Sequence, residues 1–356
     1  MKKILELSEK EEERAKEIHQ KAIVVNGLEA IIPKYIDKKY FLKLKQGGVN
    51  VINDGCTVMP WMRINDSEFW QWLEEIDHRL AENRDNISFV TTVDDIKKAK
   101  KQEKVAIIFG CQDLSMIDKD IKLLMGCYRL GFRIMGLAYQ YRNSIADGCG
   151  ERTNAGLSKS GIKAVEEMNK LGIVIDLSHV GIASTMDAME ITKDPVIFSH
   201  SCVSSLKPHM RNLNDEQIKF LAEKRGVVGI AAMSEFLVQS TDPSKIPFTT
   251  IEDYMDHIDY IVKLVGVNHV GVGLDIGERF TLEDWHYIVF DKYPELHPIL
   301  SEQDIKKQVT QPQGLKSVTD CLNITRGLVT RGYSNQEIEK ILGGNFLRVF
   351  KKVWGR

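Results

Sequence analysis

Two serine–histidine pairs, Ser178-His179 and Ser199-His200, recur at equivalent places in one stretch, GIVIDLSHVGIASTMDAMEITKDPVIFSHS (172 to 201). Each pair closes an apolar, β-branched run, Ile173 to Leu177 and Pro195 to Phe198, and a helical segment separates the two. Apolar runs bounded by turns and joined by a helix predict parallel strands buried on both faces. Such strands carry ligands and chemistry at their C-terminal edge, and neighbours lie about 4.8 Å apart. A single histidine at a strand end is more often a hydrogen-bonded core residue. Two at matching positions of adjacent units are expected to reach one metal ion.

The elements that must position these histidines are visible along the whole chain. Eight short apolar runs occur in order: Ala22 to Val25, Gly48 to Ile52, Val105 to Phe109, Phe132 to Ala138, Gly172 to Leu177, Pro195 to Phe198, Gly226 to Met233 and His269 to Leu274. Segments with helical spacing lie between most of them, as in Ile162, Val165, Met168 and Leu171, or Ile218, Leu221 and Ala222. No Pro/Gly/Ser-rich linker divides the set. The pattern therefore predicts an α/β fold, a single-domain (β/α)₈ TIM barrel over residues 21–356 preceded by a solvated surface helix within residues 1–20. An insert at about 56–93 carries Phe69-Trp70-Gln71-Trp72-Leu73, a stripe expected either to pack or to wall a pocket at the barrel mouth. Near the C-terminus Gly343-Gly344-Asn345 reads as a turn into a helix capped by Asn345.

Composition narrows the class. A chain of 356 residues with 43 % apolar content can bury a large core, and its formal charge of −2 offers no basic stripe for nucleic acid. The six cysteines (56, 111, 127, 149, 202, 321) show no CxxC or CxxH spacing, which points to packed thiols in a reducing compartment. The N-terminus lacks the apolar core of a signal peptide, and no apolar run approaches a membrane span. The expectation is a cytoplasmic protein acting on a small molecule, with neither nucleic acid nor membrane as partner and with homodimer formation left open.

If the eight runs are strands, one mouth carries Asn26 to Ala30, Asn53-Asp54, Cys111-Gln112-Asp113, Tyr139, His179, His200, Met233 and Asp275 to Glu278. Asp275 is expected to be functional, because a carboxylate at a buried strand end is costly unless a cation or donor faces it. Gly271, Gly273 and Gly277 would permit close approach of backbone or ligand.

At this point the chain resembles the membrane (renal) dipeptidases, zinc metallopeptidases of the amidohydrolase-like barrel type. The resemblance runs from about residue 21 to 352 and is carried by GFRIMGLAY (131 to 139), NSIADGCGERTNAGLSKSG (143 to 161), MNKLGIVIDLSHVG (168 to 181), PVIFSHS (195 to 201), RNLND (211 to 215), HVGVGLD (269 to 275) and GGNFLRVF (343 to 350). It implies a two-ion centre built from a His-x-Asp pair after the first strand, a bridging Glu after the third and one His after each of the fifth and sixth. Carried over, the two histidines fall on His179 and His200, the arginine that faces a substrate carboxylate on Arg211, and the catalytic aspartate on Asp275. The rest departs. The first His and Asp become Leu28 and Ala30, the bridging Glu becomes Gln112, and a substrate-contacting His becomes Tyr139.

Leu and Ala ligate nothing, and Gln offers one neutral oxygen in place of a charged bridge, so the two-ion site cannot form. His179, His200 and Gln112 remain as metal ligands for at most one zinc ion, with none as an alternative, and Asp275 and Tyr139 remain as catalytic groups. Tyr139 and Arg211 would bind substrate. Whether Glu29 or Asp113 compensates stays open; Glu29 needs a one-residue shift of register to do so. The resemblance implies a dipeptidase-like hydrolase of a dipeptide or small amide with a free carboxylate. The alternatives are a metal-poor or metal-free enzyme doing acid/base chemistry on a small carboxylated metabolite, and a non-catalytic binding paralogue.

Overall fold

A computed structural model of the chain describes residues 6–29, 36–55, 67–240, 242, 244–286, 291, 301–306 and 310–355. Among the described residues nine parallel strands are present: β1 (Val24–Glu29), β2 (Val49–Asp54), β3 (Ile87–Phe89), β4 (Val105–Cys111), β5 (Phe132–Gly136), β6 (Val174–Asp176), β7 (Ile197–Ser201), β8 (Val227–Ile230) and β9 (Val270–Val272). Eight of them run in the order β2-β1-β9-β8-β7-β6-β5-β4, and a β2–β4 pairing closes the ring. The closed eight-stranded barrel is the predicted (β/α)₈ fold. β3 is a correction: it lies inside the expected 56–93 insert and pairs with the first half of β4, while β5 takes the second half. Three residues are too short to show periodicity, so sequence pattern passes over β3.

The apolar runs sit where strands form, but several strands begin or end elsewhere. β6 keeps only Val174–Asp176 of a run expected from Gly172 to Leu177, and β7 continues past Phe198 through His200 to Ser201. Local chemistry sets the helices. The helix Lys159–Leu171 starts at Ser158, whose hydroxyl accepts from Gly161 N at 3.0 Å, and ends at the left-handed Gly172 (φ 76°). Its buried face is Ala164, Val165 and Met168, whereas Ile162, expected inside, is 38 % exposed.

Side-chain alternation divides the core. One apolar cluster takes Val25, Val51, Ala106, Ile108, Ile134, Val174, Ile197 and Val227 from seven barrel strands and packs them with Phe346, Val349, Phe350 and Val353. Those four belong to the C-terminal helix Asn345–Trp354. Arg348 of this helix donates to Arg225 O and Asn268 O, and Trp354 Nε1 donates to Arg133 O. All three acceptors lie before or at the starts of strands, so the helix stops the N-terminal end of the barrel and leaves the other end for ligands. Asn345 is not the expected cap. Its Nδ2 donates to Val267 O (2.7 Å) and Val270 O (2.8 Å), tying the helix to the start of β9.

The N-terminal helix Glu9–Lys21 is not solvated all round, contrary to expectation. Ala15, Ile18 and His19 are buried, and Glu12 pairs with Arg326 of the helix Leu322–Thr330 at 2.5 and 2.8 Å. The Trp-rich stripe lies on the helix Ser67–Glu82, with Phe69 and Trp72 buried and Trp70 about half exposed. Packing accounts for the first two.

Candidate functional site

The register of β6 against β7 builds the centre of the site. Asp176 pairs with Ile197, so His179 and His200, each three residues further on, leave the sheet side by side. Their rings stand 4.8 Å apart and the two Nε2 atoms approach to 2.8 Å. Both imidazoles are buried, and each has its second nitrogen held. His179 Nδ1 donates to Gln140 Oε1 at 2.7 Å, an oxygen that also accepts from Cys149 Sγ at 3.2 Å. His200 Nδ1 lies 2.7 Å from Ser199 Oγ. Asp176 supports that hydroxyl from beneath: it accepts from the backbone N–H of Ser178 and of Ser199, each at 3.0 Å, and from Ser199 Oγ.

Electrostatics follow from burial. Removal from water pushes His200 well below the ordinary imidazole range, and the Arg211 charge adds to this. Burial raises Asp176, against the hydrogen bonds it accepts. Tyr139 covers the pair, its ring stacked on His179 at 4.1 Å and 25°. The Tyr139 N–H donates to Asp113 Oδ2 at 2.7 Å.

Arg211 lies below this surface, only 3 % exposed. Its Nη2 donates to His200 O at 3.1 Å and its guanidinium faces the Phe236 ring at 5.8 Å, while Nε has no partner among the described residues. No carboxylate among those residues pairs with it. Asp215, the neighbour available for a surface ion pair, instead accepts from Ser205 Oγ and Tyr260 OH. Asp275 follows β9 with its N–H bonded to Leu28 O at 3.2 Å, which links the ends of β9 and β1.

Three residues of this mouth, Gln140 (φ 60°), His179 (φ 68°) and Asp275 (φ 54°), hold left-handed backbone without being glycine. Such conformations cost of order 1 kcal/mol or more each and gather where side chains must be aimed.

Of the donors implied for zinc, His179 and His200 come together. Leu28 and Gln112 both lie beside Gly55: a Cβ added there would touch Leu28 Cδ1 and lie 3.2 Å from Gln112 Cγ. The β1–β2 pairing does slip by one residue between Asn26 and Glu29, the shift Glu29 would need. Its carboxyl nonetheless accepts from Asn26 Nδ2 at 2.6 Å and lies against Tyr40, and burial raises it well above the ordinary range. Asp113 is occupied by Tyr139 N, Ser115 N and Asn143 Nδ2. Ala30 lies outside the described residues. Among those described, no three His, Cys, Asp or Glu side chains converge as a metal site would require. Leu28 and Gln112, in place of a His and a Glu, therefore do not fit the family's two-ion zinc centre.

Sequence reasoning assigned no role to Asp176 or Gln140. A carboxylate inside the apolar run GIVIDL was a usable signal for the first. Gln140 gave none, because its place depends on a left-handed turn after Tyr139. The glycines Gly271 and Gly273 serve packing: a Cβ at Gly273 would overlap Ser199 O, and one at Gly271 would meet Phe346 Cε2 at 2.7 Å.

Family comparison matches residues 13–311 and 303–354 to the membrane dipeptidase family, peptidase family M19. An uncharacterized dipeptidase of Schizosaccharomyces pombe is 32 % identical over 290 residues, 79 % of this chain and 62 % of that protein. A dipeptidase of Claviceps purpurea is 30 % identical over 271 residues, 76 % of this chain and 56 % of its own length. The matched stretch thus covers about three fifths of these relatives. The crystal structure of an amidohydrolase from Pseudomonas aeruginosa superposes with a TM-score of 0.84 at 29 % identity, covering 96 % of this chain and 99 % of that one. Among the described residues no helix is long and apolar enough to cross a membrane.

Proposed function

Because the chain belongs to the membrane dipeptidase family, we propose that it is a dipeptidase-like hydrolase of a dipeptide or small amide bearing a free carboxylate, working with one metal ion at most. The observation that carries this reading is Arg211. A guanidinium 3 % exposed, with Nε unpartnered and no ion pair among the described residues, is costly unless a ligand supplies the anion. A substrate carboxylate would take that place bidentately. Tyr139, stacked on His179 and part-exposed, would bind the carbonyl side of the substrate, and Asp275 would take the proton of the attacking water.

One observation favours a second reading of the same pocket. The Nε2–Nε2 contact of His179 and His200 suits acid/base chemistry on a small carboxylated metabolite, with Tyr139 and Asp275 completing the set. A panel of dipeptides, N-acyl amino acids and hydroxy or keto acids separates the two. Release of a free amino acid supports the hydrolase; turnover confined to substrates without an amide overturns it in favour of the second. A protein that binds these acids and turns over none of them is the non-catalytic paralogue.

A further inference from the structure

We propose that the closed end of the barrel, opposite the paired histidines, carries a second binding site, for a small phosphate-bearing anion with two or more negative charges. The site is a cavity of about 610 Å³ between the segment leading into β7, the segment leading into β8 and the C-terminal helix Asn345–Trp354. That volume lies in the range of ligand cavities, about 300 to 1,000 Å³. Lys193, Lys224, Arg225, Arg348 and Lys352 line it, with Asp194 and Glu223 as the carboxylates on its wall. A chain whose formal charge is −2 thus gathers five cations against two acids in one concave place.

These cations are positioned but not neutralised. Among the described residues none of the five forms a salt bridge with an acid. Arg348 is anchored on backbone oxygens instead, Nη1 on Arg225 O at 2.7 Å and Nη2 on Asn268 O at 2.8 Å, and Lys224 Nζ lies 3.4 Å from both Glu190 O and Thr192 O. Burial lowers Arg348 below the ordinary guanidinium range, and the neighbouring Arg225 charge adds to this. An anion among the like charges would relieve that repulsion. Arg225 itself stands in left-handed backbone (φ 60°) just past the helix Asp215–Glu223, a place that favours glycine, so its side chain is kept against backbone strain. The cations approach from three segments, which suits a tetrahedral phosphate with oxygens in several directions better than a planar carboxylate.

The test is calorimetric titration of the full chain with sodium pyrophosphate, beside sodium chloride at matched ionic strength. The expected result is one saturable site for pyrophosphate and none for chloride, with a melting temperature raised by the pyrophosphate. Binding should weaken about tenfold or more in Lys193→Gln/Lys352→Gln, and measurably in each single variant, because charge-assisted contacts are lost. Both lysines are exposed, so neither change touches the core. Lys101→Gln/Lys119→Gln removes the same charge from exposed lysines outside the cavity and should bind as the wild type does. A wild type without saturable pyrophosphate binding overturns the proposal before any variant is made. Binding that the cavity variants leave unchanged lies elsewhere on the chain, and binding that falls equally in both double variants is general attraction to positive charge; either result also overturns it. None of these readouts is turnover, so the outcome is separate from that of the hydrolase reading.

Discussion

At the scale of single residues, the sharpest expectation concerns Arg211. Its Nη2 bond to His200 O fixes the guanidinium, and its free Nε leaves one edge for a ligand. Arg211→Lys keeps the charge but loses the planar fork, so it should fold normally while binding a carboxylated ligand about 2 kcal/mol more weakly. The same ligand with its carboxylate amidated should bind the wild type poorly and be nearly indifferent to the substitution. Calorimetry on the four combinations checks this, and equal binding of acid and amide removes the clamp. Glu29 gives a pH expectation. Its folded carboxyl is raised well above the ordinary 4.5 by burial, with Glu278, Asp275 and Asp54 adding to the effect. A raised carboxyl contributes stability that is complete below its unfolded value and is lost as pH rises through the folded one. Glu29→Gln, which keeps an oxygen for Asn26, should therefore flatten the fall in melting temperature as pH rises above the ordinary 4.5. Parallel wild-type and variant curves would show that Glu29 does not titrate in that window.

Elements transmit these effects, and their sequence signals are uneven. The Glu12–Arg326 pair docks the first helix on a helix more than 300 residues later, and the guanidinium holds Glu12 down to about 2. A depressed carboxyl stabilises above its ordinary value of 4.5 and loses this as pH falls through the folded one. Glu12→Gln should cost about 1 kcal/mol near neutrality, a difference that vanishes below about pH 2. Chemical denaturation at the two pH values checks both parts. Gly273 ties the sheet to the site, because a Cβ there overlaps the carbonyl of Ser199, whose hydroxyl holds His200. Gly273→Ala should destabilise by about 2 kcal/mol or more and disturb the imidazoles before the rest of the barrel. Unchanged histidine NMR signals would count against this link. Neither contact was legible in the sequence, since each joins residues distant in the chain. The eight strands were legible, because parallel strands buried on both faces must be continuous apolar runs. Their ends were less so: β6 stops at Asp176 because that carboxylate accepts the N–H groups of Ser178 and Ser199. Asn345 was misread because local turn chemistry says nothing about the carbonyls of Val267 and Val270 across the barrel base.

For the whole molecule, the C-terminal helix stops one end of the barrel, and the departures from the family's ligand set among the described residues, Leu28 and Gln112, fall at the other. The paired histidines were readable because the same strand-end signature occurs twice in thirty residues, whereas Gln140 was not, because only the folded turn brings it under His179. The departure from the family's ligand set is thus spread over several strands, and it sets the expectation for restoring the site. Leu28→His, Ala30→Asp and Gln112→Glu together supply the three missing ligands of the resembled motif, with position 30 assigned from that motif alone. Zinc at such a centre gains several metal–ligand contacts at once. Zinc per chain in the triple variant should therefore rise above the wild type toward two. If the variant folds and gains no metal, the ligands are not the only part to have diverged. The contacts that orient the rings, Gln140 on His179 and Ser199 with Asp176 on His200, would then be holding the pair closed against the ion, since groups behind a ligand govern whether it can turn to bind. Adding Gln140→Ala to the triple variant separates these cases: metal uptake that appears only then assigns the closure to Gln140, and continued absence places it at Ser199 and Asp176.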